Sequence, residues 1–315
     1  MADDHLNDLL TDLADDAEPV SDRDLTPLSN LSREQQHALD DVWTQISLDK
    51  RRLLVAALTE AGDEDIQLDY SAVFRRGLRD DDAEVRRASI DGLWENENVT
   101  LIRPFLRLLD DSDTAVRASA ATALGRFVLQ GELGHLTEER YDEILSRLRA
   151  IIAEPSVPIS VRRRAVESIA YSSTSDVRDI IARGYEDADP EMRQSAIFAM
   201  GRSADHYWRG QVRVELRNEG PAFRYEAARA AGELADPQAV PALARLLRDD
   251  VLAVREMAIW ALGQIGGSAA RQALQLFIEQ DKSALTDHAR DSLAEMALLS
   301  GDLTSPFLGE DPLAE

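Results

Sequence analysis

The sequence predicts an all-α fold, an α-solenoid of about eight antiparallel helix pairs. Three observations predict it. An apolar-Arg pair recurs every 31 residues. A small residue stands four places after each apolar one, and an apolar or small residue eight places after it. Helix-start residues precede the recurring pairs, whereas clusters of β-branched and aromatic residues bounded by turns are missing.

The repeats are read in order. The pairs are Val85-Arg86, Val116-Arg117, Val161-Arg162, Met192-Arg193, Phe223-Arg224 and Val254-Arg255. Four places on stand Ser89, Ala120, Ala165, Ala196, Ala227 and Ala258, and eight places on Leu93, Leu124, Ile169, Met200, Ala231 and Leu262. Gly125, Gly201, Gly232 and Gly263 follow in four of the six. Weaker repeats flank them. Lys50-Arg51 with Leu54 and Leu58 opens the series, and Leu285 with Ala289 and Leu293 closes it. End repeats have one neighbour only, so degeneracy is expected there.

Each repeat is long enough for two helices. Asp113 and Asp189 stand as N-caps of second helices, and Pro190 with Glu191 follows the latter. Val240, Leu243, Leu246 and Leu247 give a first helix its apolar stripe, with Asp236-Pro237 at its start. Ser32 and Gln35 form a capping box ahead of Leu39, Val42, Trp43 and Ile46.

The segment Asp113-Thr114-Ala115-Val116-Arg117, followed by Ala120, Ala123, Leu124 and Gly125, resembles a HEAT repeat. The short period is similar to the HEAT-like repeats named after phycobilisome lyases, and the resemblance covers roughly residues 32–300. It implies fold more than function. It also implies that Asp113 and the Arg series, Arg86 to Arg255, form ladders between neighbouring repeats, interrupted where Gly220 and Val251 take the Asp place.

Three regions depart from the pattern. The interval from Val116 to Val161 is 45 residues, 14 above the period. The excess is expected as loops around residues 129–141 and 154–158. Residues 1–31 are expected as an acidic, mostly flexible segment. Within it Leu6, Leu9, Leu10 and Leu13 have helical spacing, and the stretch reads as a solvated tail, a docking helix or a helix folded back on the solenoid. Residues 32–300 form the solenoid, and residues 301–315 read as an acidic disordered tail.

Composition narrows the function. The chain has 315 residues, no cysteine and a formal net charge of -24. Thiolate metal sites and disulfides are excluded. The charge opposes general binding to nucleic-acid phosphates. No signal-peptide pattern or membrane span is present, so a cytoplasmic protein is expected. The five histidines are scattered over different repeats, and HExxH, P-loop and Gly-x-Ser-x-Gly motifs are missing. No cofactor, metal or catalytic residue is assigned. There is no His-Glu dipeptide, which disfavours a di-iron hydroxylase of HEAT-like build, whose metal ligands such pairs supply.

A binding wall is the remaining expectation. With the apolar residue at place 0 and 100° per residue, places 1, 4, 5 and 8 pack, and places 2, 3, 6 and 10 point away. By the resemblance these outward places line the concave face. They carry Phe198, Arg202, Tyr225, Arg229, Met257 and Trp260, joined by Arg126, Arg163, Arg164 and Tyr171. Aromatic, Arg and Met residues are those of interface hot spots. The alternative is that Phe198 and Trp260 fill gaps between repeats. The arginines suggest a mildly basic groove for a protein or an acidic peptide, the chain's own N-terminal helix among the candidates. A non-catalytic scaffold is the leading function. A bilin lyase-like enzyme or chromophore chaperone is the alternative, and nucleic-acid binding a distant third.

Overall fold

The structure is a computed structural model that describes residues 2–15, 20, 24–65, 67–281 and 283–300. The expectation for residues 301–315 therefore lies outside the described residues. The chain forms two compact units, Met1–Ser168 and Ile169–Glu315. Among the described residues there are helices and no strands. No helix there is long and apolar enough to cross a membrane.

The N-terminal unit holds α1 (Ala2–Ala14), α2 (Arg33–Trp43), α3 (Leu48–Glu64), α4 (Ser71–Gly77), α5 (Ala83–Asp91), α6 (Ile102–Leu108), α7 (Thr114–Glu132), α8 (Glu138–Ala153) and α9 (Ile159–Ile169), whose last residue crosses the boundary. The C-terminal unit holds α10 (Val177–Tyr185), α11 (Pro190–Arg202), α12 (Arg209–Glu215), α13 (Pro221–Glu233), α14 (Val240–Leu246), α15 (Leu252–Ile265), α16 (Gly267–Gln280) and α17 (Leu285–Ser300). After α1 the helices make eight pairs, α2 with α3 through α16 with α17, as the repeat predicts. In each unit the second helices stack in one row, α3 on α5 on α7 and α11 on α13 on α15 on α17. The first helices form the other layer.

Helix starts follow the sequence closely. Ser32 and Gln35 make the reciprocal capping box, and Asp113 and Asp189 each accept two amides of their own second helix. Asp236 caps a single 3-10 turn, Pro237–Ala239, and α14 begins only at Val240. The glycine series has a packing cause. A Cβ on Gly201 would meet Ala230 Cα at 2.8 Å, and one on Gly232 would meet Ala261 Cα at 3.0 Å. Each glycine nine places after the apolar residue thus touches the small residue seven places into the next repeat. Neighbouring second helices approach backbone to backbone there, which a larger residue forbids.

Around 129–141 most of the excess is helical rather than the expected loop, with a short turn at residues 133–137, whereas residues 154–158 form a loop as expected. α7 has 19 residues and α8 has 16, against 13 in α11 and 9 in α10. The extra turns pair with one another: Tyr141 Oη donates to Glu132 at 2.8 Å, and its ring lies over Gly131. Lengthening two consecutive helices, the second of one pair and the first of the next, places most of the added backbone in helical hydrogen bonds, which a long loop does not.

The N-terminal helix also differs from the mostly flexible segment expected. Leu6, Leu9, Leu10 and Leu13 are all buried, and α1 packs on α2 and on the turn Thr26–Leu28. Lys50 Nζ donates to the carbonyls of Asp12, Leu13 and Asp15 at the end of α1. Lys50 occupies the apolar place of the first repeat. Its ammonium satisfies carbonyls that the helix end leaves open, and α1 covers the row end that has no preceding repeat.

The Arg series is structural, but its partner is not Asp113. Arg86 forks onto Asp111 at 2.8 Å for both contacts, and Arg224 onto Asp249 at 2.6 and 2.9 Å. The acceptor lies two residues before the N-cap place, so Val251 does not interrupt the ladder. One break falls where Asn218 replaces the acid, and Arg193 stacks on Phe223 instead, 5.4 Å from the ring centre; Arg117 likewise turns back onto Asp111 O and Thr114 of its own repeat.

Burial pushes the Asp111 carboxyl up. The hydrogen bonds from Arg86 and the Asp113 amide outweigh this and hold it below its ordinary value. At Asp249 the hydrogen bond from Arg224 is the main cause of the same shift. A carboxylate depressed in the folded state stabilises fully above its unfolded pKa, and that stability is lost as pH falls through the folded value. Asp111→Asn with Asp249→Asn is therefore expected to cost about 2 kcal/mol per site at pH 7. Between pH 5 and pH 3 the variant loses less further stability than the parent, as urea midpoints across that range will show. A parallel acid limb in both proteins would refute the assignment.

Candidate functional site

The outward places of the C-terminal unit come together along α11, α13 and α15. Phe198 on α11 is half-buried. The Arg229 guanidinium lies over its ring, 3.7 Å from the centroid. Arg202, one helical turn after Phe198, stacks on Phe198 at 5.3 Å and on Tyr171 at 5.7 Å. An aromatic face attracts a guanidinium through its quadrupole, so these rings hold both arginines.

Arg229 differs from its sequence expectation. It is 8% exposed and does not stand out between the aromatics. Its long stem lies over the neighbouring repeat, and its head is clamped by Glu226 at 2.9 Å and Glu233 at 2.9 Å. A buried guanidinium needs such partners, and carboxylates three and four places away on the same helix provide them. Glu233 also meets Arg202 at 3.4 Å. Burial pushes the Glu233 carboxyl up, with Arg229 and Arg202 pulling against that rise. These glutamates were countable in the sequence as charge. Their i,i+3 and i,i+4 spacing to Arg229 was the signal that they are its partners.

Trp260 is the member that stays open, 37% exposed at place 6 of α15. A Cβ on Gly232 would meet its ring at 2.7 Å, so the indole lies on the glycine of the preceding second helix. Tyr225 and Met257 are half-buried on the same row. The remaining three predicted residues belong to the N-terminal unit. Arg126 donates to Leu93 O at 3.2 Å and stacks on Phe127, and Arg164 pairs with Glu167 at 2.6 Å. Arg163 is half-buried. The expected basic groove is corrected accordingly. Arg164 in the N-terminal unit is met by Glu167, and in the C-terminal row Arg202 and Arg229 are met by Glu226 and Glu233, so that row presents paired charge together with an exposed indole.

A family model described as HEAT repeats matches residues 71–154 and 211–294. Deoxyhypusine hydroxylase of Schizosaccharomyces pombe (strain 972 / ATCC 24843) is 28% identical over 123 residues, which make up 38% of this chain and 39% of that protein. The chain thus spans well under half the length of the relative it matches. Among solved structures, the complex of CpcE and CpcF of phycocyanin lyase from Nostoc sp. PCC7120 is 16% identical. It covers 72% of this chain and 94% of that one, with a TM-score of 0.46. Yeast importin-beta is 11% identical over 94% of this chain and 48% of that chain, with a TM-score of 0.49.

Proposed function

The chain belongs to the HEAT-repeat family, and we propose that it is a non-catalytic scaffold holding a protein segment on the second-helix row of its C-terminal unit. The observation that carries this is the Trp260 indole, left open on Gly232 beside the ring-and-guanidinium stack of Phe198 and Arg202. An indole in water leaves apolar area unburied at about 25 cal/mol per Å², and a partner segment covers it. The stack beneath is rigid, because each arginine is fixed by a ring and a carboxylate, so little order is lost on binding. Since the charges are paired, the row favours a segment with apolar side chains over a strongly acidic one.

The hydroxylase similarity is not carried over as an activity, because the sequence has no His-Glu dipeptide. Phe198→Ala with Trp260→Ala tests the reading. Proteins retained by the immobilised parent chain are expected to be lost from the variant, with affinity falling at least about a hundredfold while the helical circular dichroism signal stays. Equal retention would remove this patch from consideration. A visible absorbance change on adding a linear tetrapyrrole to the pure chain would instead favour the lyase-like alternative.

A further inference from the structure

The N-terminal unit carries a second surface of opposite character. Trp94 stands nine places after Val85, where the matching repeats have Gly125, Gly201, Gly232 and Gly263. A ring at that place would collide with the next second helix. The chain avoids this by ending α5 at Asp91 after 9 residues, against 13 in α11 and α13. The indole swings out and is 60% exposed. The repeat thus gives up about a turn of helix; the turn that replaces it buries Leu93 and lets Asn96 donate to Ser71 Oγ at 2.6 Å, while the Trp94 ring itself is left in solvent.

The exposed ring borders a hollow of about 220 Å³ between the end of α3, the start of α4 and the turn after α5. A second hollow, of about 480 Å³, runs between α3 and α5. The two share Thr59 and Asp63 and form one groove. Its carboxylates are Glu60, Asp63, Glu64, Asp69, Asp91 and Glu95, and no Lys or Arg lines either hollow. Arg87 pairs with Asp91 at 2.9 Å, yet burial outweighs it and pushes the Asp91 carboxyl above its ordinary value. A further cation beside Asp91 reverses that penalty. Among the described residues no group of His, Asp and Glu is arranged to hold a metal ion.

We propose that this groove docks an arginine-bearing extended segment of a partner protein, with a guanidinium stacked on Trp94 and its neighbours held by the α3 and α5 carboxylates. Arginine is favoured over lysine because its planar head both stacks on an indole and forks onto carboxylates. Charge complementarity sets the direction: carboxylates and no Lys or Arg line the groove, Arg87 meeting Asp91 from outside it, whereas in the C-terminal row Arg202 and Arg229 are matched by Glu233 and Glu226.

The test is fluorescence anisotropy of a fluorescein-labelled (Gly-Arg)4 peptide titrated with the full chain. The peptide is expected to bind, and its citrulline counterpart to fail. Trp94→Ala removes the ring without altering any charge and is expected to weaken binding about fivefold. Asp63→Asn with Glu95→Gln is expected to weaken it about tenfold. The matched pair Glu139→Gln with Asp142→Asn, on α8, is expected to leave it unchanged. Equal affinity for the parent and Trp94→Ala would overturn the proposal, since attraction to the chain's general negative charge ignores the ring. So would equal losses from the two charge pairs, or no binding of the arginine peptide. Trp260→Ala leaves this binding intact, so failure here and failure of the C-terminal patch are separately visible.

Discussion

Asp80→Ala is expected to cost the N-terminal unit about 3 kcal/mol, among the larger losses a single substitution can cause in this chain. Asp80 is buried, and its carboxylate gathers three elements. Oδ2 accepts the Trp43 indole N–H from the end of α2 at 2.6 Å and also takes the Arg51 guanidinium of α3. Oδ1 accepts the Asp82 amide at 2.9 Å, shaping the turn into α5. Alanine leaves a buried indole N–H and a mostly buried guanidinium without their acceptor, and the cost is dominated by those orphans. Asp80→Asn keeps one acceptor oxygen and loses the charge, so about half the penalty is expected. In Trp43→Phe, Asp80→Ala should cost less than in the parent, because one orphan is already gone. Urea midpoints of the parent, Asp80→Ala, Trp43→Phe and their double variant measure this, with Asp80→Asn as a fifth protein. A loss below about 1 kcal/mol for Asp80→Ala would show that the cluster does not organise the unit.

Gly232→Val is expected to destabilise the C-terminal unit by about 3 kcal/mol and to weaken partner binding at the same time. The added Cβ meets the Trp260 ring at 2.7 Å and the Ala261 Cα at 3.0 Å. The ring can move only by leaving its seat, and the backbone of α15 can move only by opening the stack of second helices. Overpacking of this kind has no cheap exit. Gly210 makes the contrast. A Cβ there meets nothing within 4 Å, and the residue lies within α12, so Gly210→Ala is expected to gain up to about 1 kcal/mol from helix propensity. Thermal unfolding of the two variants distinguishes a glycine required by packing from one that is merely tolerated. If Gly232→Val unfolds with the parent, the close approach of α13 and α15 is not what the repeat glycine provides.

Several structural features were legible because they are local. The caps at Ser32, Asp113 and Asp189 depend on a few adjacent residues, and each makes the expected bonds. The leucines of α1 announced a helix through their spacing alone. Their burial partner could not be read, because it depends on which surface of α2 is left uncovered. The ladder acceptor was misplaced by two residues. Asp111 and Asp113 are both acids ahead of α7, and only the fold shows that the latter caps its own helix while the former faces Arg86.

The proposed binding row divides along the same line. A 100° step per residue places Phe198, Arg229 and Trp260 at the same face of three successive second helices, and that much is geometry within each helix. Exposure is a property of what the neighbouring repeat, 31 residues away, lays over that face. Arg229 has a stem long enough to reach across and lie on Phe198, and carboxylates close enough to compensate its burial. Trp260 rests on a glycine and stays half open. Trp94 falls on a place where a ring cannot fit, and the helix ends early to release it. The amino-acid sequence by itself determined the period, the helix pairs and the residues offered at each place. The tertiary structure decided which of them a partner can touch, because burial is set by contacts between repeats, and those depend on the size and reach of side chains far apart in the chain.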